Sequence, residues 1–462
     1  MRLKSLVGDK AFYRRTFTIA VPIIIQNCIT NFVNLLDNVM VGSLGTEAMS
    51  GVSIVNQFVF IFNLAIFGAI SGAGIFTAQY NGIGDTEGVR NTFRIKLIIT
   101  GAIGILGVCA FLIFGDNFIE MFLHEGDGGD LALTLEHGRK YLLYTVIGFI
   151  PYAISTSYAS TLRETGETFV PMVASLTSVF SNFILNVLLI FGFLGFPALG
   201  VVGAAIATSI SRFAELAVLI VWTHTHTVRT PFAKGLYRSL RLPASLIKSV
   251  AYKGMPMLIN ELLWSLMVTM RNQCFSTRGL DAVAGLNIAV TVINVLNVCY
   301  MSIGNTIGIM VGNTLGAGEI GRAKDENKKL LALTVATSVG IALIEVAIAP
   351  FFPLLYNTTD SVRSLATFFM IVSAVITPFS AMAFASYYTL RSGGNVLITF
   401  LFDSVYSWCV VMTVSLALTY LTPIPIHALY ILCYAVDAVK CFLAVALVSR
   451  GKWAKQLSIN KS

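Results

Sequence analysis

Two carboxylates stand inside apolar stretches long enough to cross a bilayer. Asp37 lies in VPIIIQNCITNFVNLLDNVMVGSLG, residues 21 to 45, and Glu261 lies in the stretch that opens at Pro256. A charge held at bilayer depth costs about 2.5–3.5 kcal/mol on the insertion scale, so an acid in that position is read first as functional. A hydrated carboxylate there can bind Na+ through oxygen ligands, or load and unload a proton. Amides at 27, 31, 34 and 38 step by four, three and four, which is one helical face, and Asp37 borders it. Residues Ser175, Ser178, Asn182 and Asn186 form a second polar stripe, at steps of three, four and four. The competing roles are structural: Asp37 paired with Arg271, and Glu261 bonded to Asn260 or Asn287. For Asp403, Asp437 and Glu345 pairing is the first reading, with Lys440 three residues after Asp437 on one helix face. Arg212 and Glu215 share that spacing.

Aromatic side chains supply the complementary chemistry, since a ligand cation over a ring face is attracted by its quadrupole. Tyr144, Tyr152, Trp264, Tyr387, Tyr388, Tyr406 and Trp408 are in apolar stretches, where most are expected to be interfacial or core residues. Asn34, Asn63, Tyr152, Trp264, Asn287 and Tyr387 are the candidates for lining a substrate cavity. Covalent catalysis has little support. There is no GxxxxGK[ST] loop, HExxH or plausible Ser-His-Asp set, and His124, His137, His224, His226 and His427 fall in loops or at span ends. The chain reads as a non-enzyme without a cofactor, driven by a gradient or by a separate subunit.

The elements that must position these groups are membrane helices. Of 462 residues 56% are hydrophobic and only 12% charged, with 32 Phe, and the mean hydropathy is +0.79. Polar groups are too few to coat a water-soluble globule of this size, and the apolar segments are of helical rather than barrel-strand length. Twelve spans are expected, at about 16 to 40, 50 to 76, 93 to 114, 139 to 161, 169 to 193, 199 to 222, 250 to 275, 283 to 311, 329 to 350, 364 to 389, 396 to 418 and 427 to 448. The first is too long and polar for a cleavable signal and is expected to be retained. Residues 81 to 94 read as a turn plus a short amphipathic piece, and 115 to 138 as an acidic solvated loop. All seven cysteines fall within spans, so buried apolar thiols are expected and no disulfide framework. The sequon Asn357-Thr358-Thr359 is taken as chance.

Of the 31 Lys and Arg, only Arg139, Lys140, Arg278 and Arg363 fall on one side, and Arg212, Arg271 and Lys440 are assigned to the membrane. The rest gather on the other side, which the positive-inside rule makes cytoplasmic and which puts both termini inside. The net charge of +8 therefore reflects topology and contact with membrane lipids, not nucleic-acid binding.

The chain repeats itself. At a constant offset of 234, Pro22 matches Pro256, Gly45 matches Gly279, Gly51 matches Gly285, Asn63 matches Asn297, Gly82 matches Gly316 and Gly84 matches Gly318; Leu162, Arg163 and Gly166 match Leu390, Arg391 and Gly394 at an offset of 228. An even number of spans separates the copies, so they share one orientation. Such a parallel repeat places a central cavity between halves that open to alternate sides, the logic of a secondary transporter. The expected organisation is a six-helix lobe at 1–223, a cytoplasmic connection at 224–249 and a second six-helix lobe at 250–462.

These residues also resemble the multidrug and toxic compound extrusion (MATE) transporters of bacterial type, over essentially the whole chain. The resemblance rests on AVPIIIQN...LLDNVMVGSLGTEAMSG, AQYNGIGD, TLRETGETFVPM...SNFILNVLLIFG, LGVVGAAIAT and MVGNTLGAGEIGRAK in that order. It implies an all-α polytopic protein of two six-helix lobes, acting as a monomer in the cell (inner) membrane and exporting cationic or amphipathic compounds in exchange for Na+ or H+. The family's coupling residues map onto Asp37, Asn182, Asn186 and Glu261; some relatives have an acid where this chain has Asn186, and many have an acid where it has Ser380. Asp403 is the candidate for the missing charge. Two other readings share the architecture, a lipid-linked glycan flippase and a major-facilitator-type carrier. The first would be expected to need a larger basic cavity, and the second a GxxxD-R-x-G-type loop that NGIGDTEGVR matches poorly.

Overall fold

The structure, a computed structural model, describes residues 6–121, 130–239 and 241–457, with the side chains of Asn34 and Leu35 left out of the description. Twelve long helices follow one another and the described residues contain no strand. They are α1 (Lys10–Gly42), α2 (Thr46–Gly82), α3 (Thr86–Glu120), α4 (Leu131–Glu164), α5 (Phe169–Phe191), α6 (Val201–Thr225), α7 (Ala244–Ser276), α8 (Leu280–Gly316), α9 (Ile320–Ile348), α10 (Asp360–Ser392), α11 (Val396–Leu421) and α12 (Ile426–Ser449). Among the described residues eleven are long and apolar enough to cross a membrane. The exception, α7, has 33 residues but carries Asn260, Glu261, Arg271 and Asn272 along its length.

Several expected loops are helical. Helix α3 begins at Thr86 and runs without a break to Glu120, and α4 starts at Leu131. The segment 81–94 is thus a helix end, a tight turn and the first turns of α3. Of the supposed acidic loop only Met121 and Asp130 are described outside helix, and His124, Glu125 and Asp127 lie outside the described residues. Asp85 and Asp130 are caps: their carboxylates accept from the backbone N–H of Gly88 (2.9 Å) and Leu133 (3.0 Å), each satisfying one orphan donor of a helix start. In the sequon, Thr359 caps α10 by accepting from Val362 N–H at 3.4 Å. Helix α11 departs from α-geometry, with π-helical turns over Leu401–Val405 and Ser407–Met412. Asp403 sits in the first.

Contacts divide the chain into two compact units. One comprises Ile25–Thr77 and Asp85–Leu258; the other comprises the residues up to Ile24, Ala78–Gly84 and those from Ile259 onward. Three divisions fall within a helix; two of them come two residues after a repeat-related proline, Pro22 in α1 and Pro256 in α7, and the third lies between Thr77 and Ala78 in α2. Each proline removes a ladder hydrogen bond from its helix.

In the first unit Phe62 stacks on Phe149 at 4.2 Å, within a core that includes Val52, Ile66, Ile119 and Tyr141. The second is built around Phe275, Leu286, Phe369 and Tyr430. There the repeat-related ends of α2 and α8 meet: Asn81 Nδ2 donates to Asn313 Oδ1 at 2.5 Å, and a Cβ on Gly82 or Gly316 would strike the other helix's backbone. The matched turn residues Gly84 and Gly318 have φ of +73° and +80°, a region open to glycine at no steric cost. The glycines at 304, 308 and 312 do pack closely, against Phe384, Tyr388 and Ala78.

The seven cysteines are free, and their thiols are not uniformly buried. Cys274, Cys433 and Cys441 are buried, whereas Cys109 and Cys409 are exposed on their helices. A helix with one face on the protein surface leaves its outward positions uncovered, whatever the residue.

Candidate functional site

In the first unit the polar stripes of α1 and α5 converge on a cavity of about 560 Å³. All four α5 positions, Ser175, Ser178, Asn182 and Asn186, are buried and line it. From α1 the lining includes Asn27, Asp37 and Asn38. Asn31 is exposed and does not line the cavity, and the side chain of Asn34 is outside the described residues. The four-three-four spacing thus identified the face of α1 only in part.

Asp37 is held by amides. Asn186 Nδ2 donates to Asp37 Oδ1 at 2.6 Å. Asn182 can turn its amide two ways. In one, its nitrogen donates to Thr208 Oγ1 at 3.2 Å and its oxygen accepts from Asn186 at 3.2 Å. In the other, its nitrogen faces both carboxylate oxygens of Asp37 at 3.0 Å while its oxygen accepts from the hydroxyl and N–H of Thr208, each at 3.2 Å. An ionised carboxylate only accepts, so the second arrangement satisfies more groups. Asn186 Oδ1 is buried with no hydrogen-bond partner among the described residues. A neutral oxygen beside a carboxylate is an acceptor that a cation or a proton-bearing group can use.

The bases of the cavity are engaged. Arg212 pairs with Glu215 at 3.3 Å, as their spacing indicated, and lies over the Tyr152 ring at 4.8 Å. Arg163 donates to Gln26 Oε1 at 3.5 Å. Tyr141 donates to Asn56 Oδ1 at 3.3 Å, and Asn63 and Tyr152 complete the wall. Thr208, Arg163 and Tyr141 were not singled out from the sequence; only the LR pair of the repeat pointed to Arg163.

The second unit holds a different constellation. Glu261 accepts from Tyr387 OH at 3.2 Å, and Arg391 is near enough to act on it electrostatically. Its neighbour Asn260 does not bond it: Asn260 Nδ2 donates to Asp403 Oδ2 at 3.0 Å, and Asn260 Oδ1 accepts from Ser404 Oγ at 2.6 Å. Lys440 Nζ donates to Asp403 Oδ1 at 2.9 Å and stands 3.5 Å from Asp437. Arg271 pairs with Asp437 at 3.2 Å and covers the Tyr434 ring at 4.4 Å. Arg271 is thus paired with Asp437 and not with Asp37, against the structural alternative raised for Asp37. Two acids and two bases balance here, and both oxygens of Asp403 are occupied.

The other candidates disperse. Asn287 and Trp264 are exposed residues of the second unit. Tyr406 OH donates to the carbonyl of Val436 at 2.9 Å and Trp408 Nε1 to that of Leu263 at 3.1 Å, while Tyr387 and Tyr388 are buried near Phe384. The sequence reading also missed a base. Lys96, counted outside the membrane, is wholly buried and bonds Glu164, Ser160 Oγ (3.0 Å) and Thr161 Oγ1 (3.3 Å). Among the described residues no group of three or more His, Cys, Asp or Glu is placed to hold a metal ion.

The family model named MatE matches this chain twice, over residues 22–188 and 256–421. The chain belongs to the MatE family. The two matches begin at Pro22 and Pro256, so the MatE unit is the repeat read from the sequence, and membership replaces the major-facilitator reading. Similar proteins include a probable multidrug resistance protein NorM of Thermotoga maritima, 28% identical over 65% of this chain and 62% of that protein, so that the match spans less than two thirds of that relative. A probable NorM of Halalkalibacterium halodurans is 26% identical over 88% of this chain and 87% of its own length. Among solved structures, a MOP superfamily transporter from Pyrococcus furiosus superposes with a TM-score of 0.86, covering 98% of each chain at 16% identity. Such a likeness speaks for the fold, and with the family match it makes this MatE protein a polytopic membrane protein of twelve helices.

Proposed function

We propose that this MatE protein is a cation-coupled antiporter that exports cationic or amphipathic compounds by alternating access. Asp37 is the coupling group, and Na+ or H+ the counter-ion. The observation that carries the proposal is the carboxylate of Asp37 in a polar cavity, held by Asn182 and Asn186 with the buried Asn186 Oδ1 open beside it. The available ligands are all oxygens, which suits a hard cation such as Na+; the same carboxylate can take a proton instead. Loading the site neutralises Asp37 and weakens its hold on a cationic substrate over Tyr152 and Asn63. For this to drive transport, the ion must bind one conformation more tightly than the other. Glu261, bonded to Tyr387, is the second candidate coupling group.

The lobes 1–223 and 250–462, joined by 224–249, are the bodies proposed to rock. The protein is placed in the cell (inner) membrane as a monomer with both termini cytoplasmic, performing no covalent chemistry and binding no nucleic acid. A flippase for lipid-linked glycans is disfavoured because the bases at the Asp37 cavity are already engaged, Arg212 by Glu215 and Arg163 by Gln26.

The test is efflux of a cationic dye from proteoliposomes under an imposed Na+ gradient and, separately, a pH gradient. One gradient should drive wild-type efflux, and Asp37→Asn should abolish the driven component while inserting normally. Wild-type rates from both Asp37→Asn and Glu261→Gln would refute the assignment.

A further inference from the structure

The connection between α6 and α7 folds into a basic pocket that the transport reading does not use. Residues 226–239 return to the start of α3, where Arg90 Nε donates to the carbonyl of Phe232 at 3.1 Å. Arg94 donates through Nε to the carbonyl of Leu236 at 2.7 Å and through Nη2 to that of Gly235 at 2.8 Å. Phe232 and Leu236 are buried, and Phe93 meets the Phe232 ring edge-on at 6.0 Å. The connection is thus fastened by two guanidiniums and an apolar plug.

Fastening leaves a cavity of about 940 Å³ lined by Arg90, Arg94, Lys234, Arg238 and Arg241, with Glu87 the one acid among the described lining residues. Glu87 is already shared by Arg90 and by Arg94 at 3.5 Å. Lys234, Arg238 and Arg241 are exposed and have no ion-pair partner among the described residues. Like charges gathered around one concavity raise its potential and favour an anion within it. The volume exceeds what a single inorganic anion fills. The pocket also lies beside the first turns of α3 and α7, where membrane-length helices end, and Leu242 and Pro243 give it an apolar rim. Ile247, 44% exposed, continues that apolar character onto α7.

We propose that this pocket binds the phosphate headgroup of an anionic membrane lipid. Lys234, Arg238 and Arg241 are the ligating cations, and Arg90 and Arg94 the scaffold that shapes the site. Charge-assisted hydrogen bonds from guanidinium and ammonium groups are the usual means of holding phosphate. Occupancy ties the connection between the two repeats to the headgroup layer. The placement rests on the basic side being cytoplasmic, and is independent of which ion drives transport.

The test uses the purified full chain in nanodiscs of phosphatidylcholine alone or with phosphatidylglycerol, reading lipid retention by native mass spectrometry and the thermal midpoint. Wild type should retain phosphatidylglycerol and melt higher with it. The variant Lys234→Gln, Arg238→Gln, Arg241→Gln should bind it about a hundredfold more weakly, as three bases each worth about a fivefold gain at an anionic surface imply. A control, Lys10→Gln, Arg14→Gln, Lys328→Gln, removes equal charge from exposed positions elsewhere and should behave as wild type. Equal loss in both variants, no preference for the anionic lipid in wild type, or equal protection by inorganic phosphate in detergent would each overturn the proposal.

Discussion

Asn186 donates its amide N–H to Asp37 Oδ1 at 2.6 Å and leaves its own carbonyl oxygen buried without a partner. One side chain therefore both fixes the carboxylate and offers a neutral oxygen beside it. Replacing Asn186 with Leu removes both at similar size. A hydrogen bond to a charged group contributes roughly 1.5–3 kcal/mol, so gradient-driven dye efflux is expected to fall by at least about tenfold. Retention on size-exclusion chromatography should be unchanged, because Asp37 can still be hydrated from the cavity. Efflux at the wild-type rate would show that the amide only packs.

Thr208 orients Asn182, which in turn faces Asp37. Its hydroxyl and backbone N–H both reach the Asn182 carbonyl at 3.2 Å. Thr208→Val removes the first and keeps the second. The expected loss of efflux is about two- to tenfold, following from about 0.5–1.5 kcal/mol for a neutral hydrogen bond, whereas Asn182→Ala should cost more. The reverse order, read from rates at matched protein density, would exclude the amide orientation in which Asn182 faces the carboxylate.

Much of this site was legible in sequence for a simple reason. A helix that must place polar groups in a cavity repeats them every three or four residues, and Ser175, Ser178, Asn182 and Asn186 keep that period without interruption and all reach the cavity. The fold was legible from the same source, together with the 234-residue offset from Pro22 to Pro256, which the family match independently begins on. What escaped was whatever depends on partners distant in sequence. Thr208 has no local pattern that marks it as the orienting group of Asn182. Lys96 looked like a basic residue at a helix start, because nothing near it announces Glu164 as its partner. Asn31 fits the α1 period but misses the cavity, since the period gives a face and the neighbouring helices decide how much of that face is covered. Helix starts were misplaced at α3 and α4 because Asp85 and Asp130 cap polar first turns that hydropathy alone leaves outside a span.

Asp403 tests the difference between a coupling acid and a structural one. Its two oxygens are taken by Lys440 at 2.9 Å and Asn260 at 3.0 Å. Asp403→Asn leaves the ammonium of Lys440 short of a counter-charge inside the unit, and breaking a buried pair from one side costs about 3–5 kcal/mol. The expected outcome is a lower thermal midpoint in detergent, largely recovered by adding Lys440→Met, with the surviving protein still responding to the driving gradient. A double variant that is stable yet uncoupled would instead move Asp403 into the coupling machinery.

Lys96 and Glu164 make the sharper stability prediction, because Lys96 is wholly buried and is bonded by Ser160, Thr161 and Glu164 of α4. Glu164 belongs to the LRETGE segment, and Ser160 and Thr161 each lend Lys96 a hydroxyl one turn or less before it. Lys96→Met leaves that carboxylate facing a hydrocarbon chain, and the penalty is that of an uncompensated charge, about 3–5 kcal/mol. Adding Glu164→Gln removes the charge and lets the amide bond Ser160, whose Oγ already lies 2.7 Å from Glu164 Oε1. The double variant should therefore melt closer to wild type than Lys96→Met does. Since neither residue lines the cavity around Asp37, its efflux per folded molecule should match wild type. Thermal unfolding of the four corners of this cycle, each reconstituted and assayed for dye efflux, separates the two effects: recovery of stability without recovery of transport would mean that the α3–α4 pair takes part in the conformational change itself.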